Sequence, residues 1–204
     1  TKDEAEKLIS KGDRVTFRRN FTKLMNNQLS ASVLDDRSGC AAIILALNML
    51  KDVPCKVTAM FSSQEEVGGR GAAVGPYAKS VDEAIAIDVS FAYTPMCKKS
   101  DCGEIGKGPM ICFSPVLNKE MTAKLVKIAE QNDIPYQTEV MGGGRTGTNA
   151  DDISLIQSGI KTALVSIPEK YMHSPIEVVD ITDVENTAKL LAEYIKERAG
   201  EVNA

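Results

Sequence analysis

The apolar pattern of this chain changes period repeatedly. From 38 to 50 apolar residues fall on nearly every side of a helical projection (Cys40, Ala41, Ile43, Ile44, Leu45, Leu47, Leu50), which predicts a buried helix. β-Branched and aromatic residues at 56–62 (Val57, Thr58, Phe61) predict a strand. A short helix opened by glycines follows over 71–78, then a buried strand over 83–89 with Ala84, Ile85, Ala86 and Ile87. A strand at 110–113 precedes an amphipathic helix capped by Asn118, with Met121, Leu125, Ile128 and Ala129 on one stripe. A strand at 136–140 follows the Ile134-Pro135 break, a helix at 150–158 stops at Gly159, and a strand occupies 162–167. A closing helix at 181–199 aligns Val184, Ala188, Leu191, Ala192 and Ile195.

This alternation predicts an α/β fold, a mostly parallel twisted sheet covered by helices on both faces. Residues 1–32 read differently. A polar helix at 2–10, a Gly12-Asp13 turn and short strands at 14–17 and 28–33 around Asn26-Asn27 resemble the tail of a small β-rich unit. The expected organisation is therefore 1–32 as that tail and 33–204 as the main unit.

Composition narrows the class. Of 204 residues 43% are hydrophobic and 25% charged, values of an ordinary globular protein rather than a disordered or fibrous one. A net charge of −4 offers no basic field for nucleic acid or an anionic membrane. The apolar run 40–47 is too short to span a bilayer, and the first residues lack a signal-peptide core. Five cysteines are too few for a disulfide scaffold, so a cytoplasmic setting is expected. Cys97 and Cys102 read either as a metal clip or redox pair, or as two surface-loop thiols. The chain has one histidine, His173, so an imidazole-dependent site must use it or do without.

In open α/β sheets ligands gather beyond the carboxyl ends of strands. Four segments deliver candidate ligands there: Asp35-Asp36 before the first buried helix, Glu65-Glu66 after 56–62, Asp88 ending Ala-Ile-Ala-Ile, and His173 after 162–167. Taken singly, Asp35-Asp36 reads first as a helix cap, Glu65-Glu66 as a solvated turn, and His173 as an ordinary surface or core residue. Asp88 differs, because an unpaired charge at the end of a buried strand is costly. Together they form an oxygen and nitrogen donor set suited to zinc or cobalt.

At this point the chain resembles the dinuclear-metal aminopeptidases, the family of tetrahedral and glutamyl aminopeptidases and of proteins labelled cellulase M or endoglucanase. The motifs that carry the resemblance are Leu34-Asp35-Asp36-Arg37-Ser38-Gly39-Cys40, Gln64-Glu65-Glu66-Val67-Gly68, Ile87-Asp88-Val89, Gly143-Gly144-Arg145-Thr146-Gly147-Thr148, Ser166-Ile167-Pro168 and Tyr171-Met172-His173-Ser174-Pro175. The resemblance implies that Asp35 bridges two divalent metals and that Asp36 follows it through a cis peptide. It implies Glu66 and His173 as terminal ligands of one metal, Asp88 as terminal ligand of the other, and Glu65 as general base and acid acting on metal-activated water. Gly143, Gly144 and Asn149 would line the substrate cleft, with Asn149 standing where many relatives have Asp.

The resemblance also implies a peptide substrate attacked at its amino terminus and a homo-oligomer assembled through a β-barrel-like insert domain, of which 1–32 is the tail. Full-length members carry a second histidine ligand in an earlier segment. The second metal is therefore expected to be weak or absent in this chain, with activity impaired, and the sheet to be incomplete. Two rival readings stand beside this one. A non-catalytic assembly or binding module would keep the fold without the site. A glycosidase, prompted by the endoglucanase labels, would need two carboxyl groups flanking a sugar bond.

Overall fold

The computed structural model describes residues 1–18, 21–77 and 79–202. Its helices are α1 (Lys2–Ala5), α2 (Arg37–Met49), α3 (Arg70–Val74), α4 (Lys119–Gln131), α5 (Asn149–Ile153) and α6 (Ile181–Val202). Its strands are β1 (Thr22–Lys23), β2 (Gln28–Ala31), β3 (Glu83–Phe91), β4 (Met110–Phe113), β5 (Gln137–Val140), β6 (Lys161–Lys170) and β7 (Glu177–Asp180). One seven-stranded sheet runs β1-β2-β7-β6-β4-β5, with β3 on β6. The architecture is α/β and the sheet is mixed. Its longest ladder, β3 on β6, is parallel, as is β4 on β5, whereas β4–β6, β6–β7, β2–β7 and β1–β2 are antiparallel.

Side-chain alternation along the central strands sorts the interior into two faces. Ile85, Ile87 and Val89 of β3, Ile111 of β4 and Ala163, Val165 and Ile167 of β6 face α2, α4 and α6 in the two larger apolar clusters. Ala86, Cys112 and Leu164 face the opposite side, against Leu117 and Ala150 of α5. Asp88 and Ser166, paired in register, stand on this second face one alternation beyond Ala86 and Leu164. The central ladder thus carries an oil-filled side and, toward its carboxyl end, a polar side.

Several elements differ from the sequence expectation. Residues 56–62 form no ladder with any described strand, and Phe61 is exposed. β-Propensity supplies a fit to a pleated surface but cannot make a strand without a neighbour. The helix expected over 71–78 is the shorter Arg70–Val74, and Ala78 lies outside the described residues. The helix expected to reach 158 ends at Ile153, and Gln157 then takes a left-handed φ of 54°. The polar helix near the start is a single turn, and 14–17 forms no strand. Gln28–Ala31 pairs with β7 and so joins the main sheet. No helix among the described residues is long and apolar enough to cross a membrane.

Candidate metal centre

Asp35 lies in the link between β2 and α2, and the Asp35–Asp36 peptide is cis. Asp36 caps α2, its Oδ1 accepting the Gly39 N–H at 2.9 Å. The two groups pack so closely that a Cβ on residue 39 would collide with the Asp36 carboxylate, which explains the glycine. Glu65 and Glu66 open a 3-10 turn, Glu65–Val67, entered through Gln64 at φ 61° and left through Gly68 and Gly69. Gly69 has φ 60°, and a Cβ there would collide with Asp152. Asp88 is held by β3, and His173 sits in the turn between β6 and β7. Val33, Gln64, Tyr171 and His173 all have φ near +60°, so left-handed backbone flanks three of the four segments that bear candidate ligands.

Three of these residues converge. His173 Nε2 lies 3.1 Å from Asp35 Oδ2 and 3.4 Å from Glu66 Oε2. One donor atom from each lies within 4.8 Å of the others, the one such cluster among the described residues. Glu65 and Asp88 line the same cleft, of about 570 Å³, without joining that cluster. Six carboxylates line the cleft (Asp35, Glu65, Glu66, Asp88, Asp101 and Glu139), and among the described residues no lysine or arginine does.

This crowding raises carboxyl pKa values. Burial, followed by the charge of Glu66, pushes Asp35 up to about 6. Burial pushes Asp88 up to about 7, and burial with the charge of Asp88 pushes Asp36 up to about 9. Glu65 is also raised, by burial first and Glu66 second. A divalent cation among these groups removes both causes at once, since it compensates desolvation and screens mutual repulsion. Carboxylate oxygen with one imidazole nitrogen is a donor set that fits zinc or a similar ion.

Sequence reasoning missed three further carboxyl groups. Glu177, at the start of β7 and 3% exposed, accepts the Leu34 N–H at 2.6 Å and the Asp35 N–H at 3.4 Å through Oε2. It therefore ties the Asp35 backbone to the strand that follows the His173 turn. Glu139 of β5, which lines the cleft with Ser90, accepts from the Ser90 hydroxyl and, at 3.0 Å, from the Ser166 hydroxyl. Glu169 is fully buried with both carboxyl oxygens lacking hydrogen-bond partners. Burial first, then the charge of Glu177, pushes it up to about 9. The alternation of β5 was the one signal available for Glu139. Glutamates 169 and 177 carried none.

The glycine-rich loop also differs in detail. Its cleft wall is Thr146, Gly147 and Thr148, while Gly143 and Gly144 are exposed. Asn149 is absent from the cleft wall, and its side-chain amide donates to Ser62 Oγ at 2.7 Å. The reason is local: Thr148 caps α5 by accepting from the Ala150 N–H, so Asn149 is already the first helical residue.

Asp35, Glu66 and His173 thus form a convergent carboxylate and imidazole set, with Glu65 in the same cleft, toward the polar end of the central ladder. The chain belongs to the M42 glutamyl aminopeptidase family, whose match covers residues 1–190. It is 35% identical over 198 residues to a lysyl aminopeptidase of Pyrococcus furiosus, covering 97% of this chain and 57% of that protein. An aminopeptidase from the archaeon Desulfurococcus kamchatkensis superposes with a TM-score of 0.85 at 36% identity, over 97% of this chain and 57% of the other. The Pyrococcus horikoshii TET1 peptidase, described as able to assemble into a tetrahedron or a large octahedral shell, superposes with a TM-score of 0.78 at 34% identity, over 97% and 58%. The chain thus spans little more than half the length of these relatives.

Proposed function

We propose that this chain carries most of the metal centre of an aminopeptidase that removes amino-terminal residues from peptides. The observation that supports this reading above all is the convergence of Asp35, Glu66 and His173 in an acidic cleft that also contains Glu65. In this reading Asp35, Glu66 and His173 would hold one divalent ion, and Asp35 with Asp88 would contribute to a second. The second set needs a further imidazole, which this chain, with one histidine, does not contain. Bound divalent ions supply a polarised scissile carbonyl and a water of lowered pKa.

The protein's own groups do the rest. Glu65 takes a proton from the attacking water onto its carboxylate and returns it to the departing amine. A cleft lined by carboxylates and, among the described residues, by no lysine or arginine favours a substrate whose free α-ammonium enters it, which restricts attack to chain ends. The relatives' shells support a homo-oligomeric state. Exposed Val15, Phe17, Phe21 and Met25 in the amino-terminal segment provide apolar surface for such contacts.

The amino-terminal restriction is testable without turnover. An aminoacyl hydroxamate presents a free α-amine and a metal-chelating oxygen pair. It is expected to bind the zinc-loaded chain at least ~10-fold more tightly than its N-acetylated form, the loss of a charge-assisted contact being worth ~1.5–3 kcal/mol. Equal binding of the two forms would refute recognition of the amino terminus.

A further inference from the structure

A loop in the cleft wall spends its hydrogen-bond donors on a carboxylate that does not itself line the cleft. Thr146, Gly147 and Thr148 form this part of the wall, whereas Asp151 stands behind them in α5. The loop engages both oxygens of the Asp151 carboxylate. The Thr146 N–H donates to Oδ1 at 2.8 Å and to Oδ2 at 3.0 Å, the Thr146 hydroxyl to Oδ1 at 2.8 Å, and the Gly147 N–H to Oδ2 at 3.0 Å. Thr148 joins the same set, its hydroxyl oxygen lying 3.0 Å from that of Thr146. Each hydroxyl has one proton, and that of Thr146 goes to Asp151, so Thr148 donates to Thr146. One carboxylate thus fixes all three residues of the wall.

The clamp is anchored, and the loop has no comparable hold of its own. α5 buries Ala150 and Ile153, and Ala150 packs in the apolar cluster with Ala86 of β3 and Leu164 of β6. The approach to the wall, Gly142-Gly143-Gly144-Arg145, is exposed throughout, and Gly147 takes φ 72°. Glycines lose the most backbone freedom on ordering, so a glycine-rich wall depends on contacts from outside it. Arg145 Nε lies 3.8 Å from Asp151 Oδ2, but its side chain is 84% exposed and such a pair adds little.

We propose that Asp151 is a positioning residue of the cleft, holding Thr146, Gly147 and Thr148 as a preformed wall against the first residue of a peptide bound at the metal centre.

This role rests on the metal-centre reading above, which puts the peptide's amino-terminal residue in this cleft. Asp151 acts only through the loop. With the donors spent on Asp151, the loop offers a ligand its threonine methyls and the carbonyls of Thr146 and Gly147, which accept no hydrogen bond among the described residues. Without the clamp the wall becomes one of several loop conformations, and affinity falls by the fraction of molecules that still hold it. A fraction of ~10% gives a ~10-fold loss.

The test compares two chelating probes on the zinc-loaded chain by calorimetry. Leucine hydroxamate carries a side chain and an α-amine, whereas acetohydroxamate has neither and reaches only the metal. Asp151→Ala is expected to weaken leucine hydroxamate by ~10-fold and to leave acetohydroxamate and bound zinc within ~2-fold. Asp151→Asn, which keeps one acceptor oxygen, is expected to fall between. Equal weakening of both probes, or an unchanged affinity for leucine hydroxamate, would overturn the positioning role alone. Failure of the zinc-loaded parent to bind either probe would overturn the metal-centre reading and this role with it. A second measurement needs no variant: amide hydrogen exchange in the parent should be at least ~10-fold slower at Thr146 and Gly147 than at Gly143 and Gly144. Equal rates at the four amides would show that the carboxylate does not hold the loop and would overturn the proposal whatever the probes give.

Discussion

Replacing Glu177 by alanine is expected to weaken the fold and the metal site together. The side chain is 3% exposed, and its Oε2 accepts a short bond of 2.6 Å from the Leu34 N–H and a long one of 3.4 Å from the Asp35 N–H. A hydrogen bond to a charged group contributes about 1.5–3 kcal/mol, and the longer contact adds little. Two effects could change the sum. The first is relief of repulsion: Glu169 is pushed up to about 9 and is neutral at pH 7, so little is relieved there, while Asp35, whose carboxyl the Glu177 charge also pushes up, is relieved and offsets a small part of the loss. The second is the cost of leaving the Leu34 N–H buried and unpaired, which acts in the same direction as the lost bond.

The net loss is therefore about 2–3 kcal/mol, which lowers the melting temperature of a chain this size by about 4–12 °C. Glu177→Gln keeps an acceptor oxygen and is expected to lose about 1 kcal/mol. Because the same oxygen orients Asp35, zinc affinity should fall in the same order, by about 10- to 100-fold for alanine. Urea denaturation followed by circular dichroism gives the first quantity and calorimetric zinc titration the second. An alanine variant within about 0.5 kcal/mol and about twofold of the parent would refute the reasoning, since such small effects mark surface positions.

Three further outcomes follow from the same geometry. Glu169→Gln is expected to stabilise the chain increasingly with pH: the unfolded carboxyl ionises near 4.5 and the folded one only near 9, so folding must take up a proton between those values. The gain should be near zero at pH 4.5 and about 3 kcal/mol at pH 7, and a gain that does not vary with pH in urea denaturation would contradict it. Gly39→Ala, although alanine is the better helix former, is expected to destabilise by about 0.5–2 kcal/mol by displacing the Asp36 cap, read as a lower urea midpoint at unchanged slope. Glu65→Gln is expected to lower release of nitroaniline from an aminoacyl-nitroanilide by ~10²- to 10⁴-fold with bound zinc per chain unchanged. Loss of zinc along with rate would exchange the roles of Glu65 and Glu66.

The elements legible in the sequence were those whose signal is local. Asn118 caps α4 as its position predicts, accepting the Met121 N–H at 3.0 Å, and the apolar stripe behind it is buried. The apolar run Ala84–Ile87 marked a buried strand that carries Asp88, and β3 holds it with Asp88 on the face opposite Ile87 and Val89. The segment 56–62 carried the same kind of signal, but a ladder also needs a partner, which no window of sequence contains. β7 was missed because Glu177-Val-Val-Asp180 is four residues long and bounded by acidic groups, so nothing in it marks full burial. Glu177 accepts from Leu34, 143 residues earlier, and Glu169 is buried on β6 between Phe91 of β3 and Val179 of β7. Of the glycine-rich loop, the family resemblance implied a cleft-side segment but not which residues turn inward, since that depends on where α5 begins.

The central claim is that Asp35, Glu66 and His173 form a metal site, and crystallographic anomalous scattering at the zinc edge, on crystals of the zinc-loaded and dialysed chain, tests it most directly. One strong peak is expected between those three side chains, with any second peak near Asp88 weaker, and the strong peak should vanish in His173→Ala. An empty triad, a strong peak elsewhere, or an unchanged peak in His173→Ala would contradict the account.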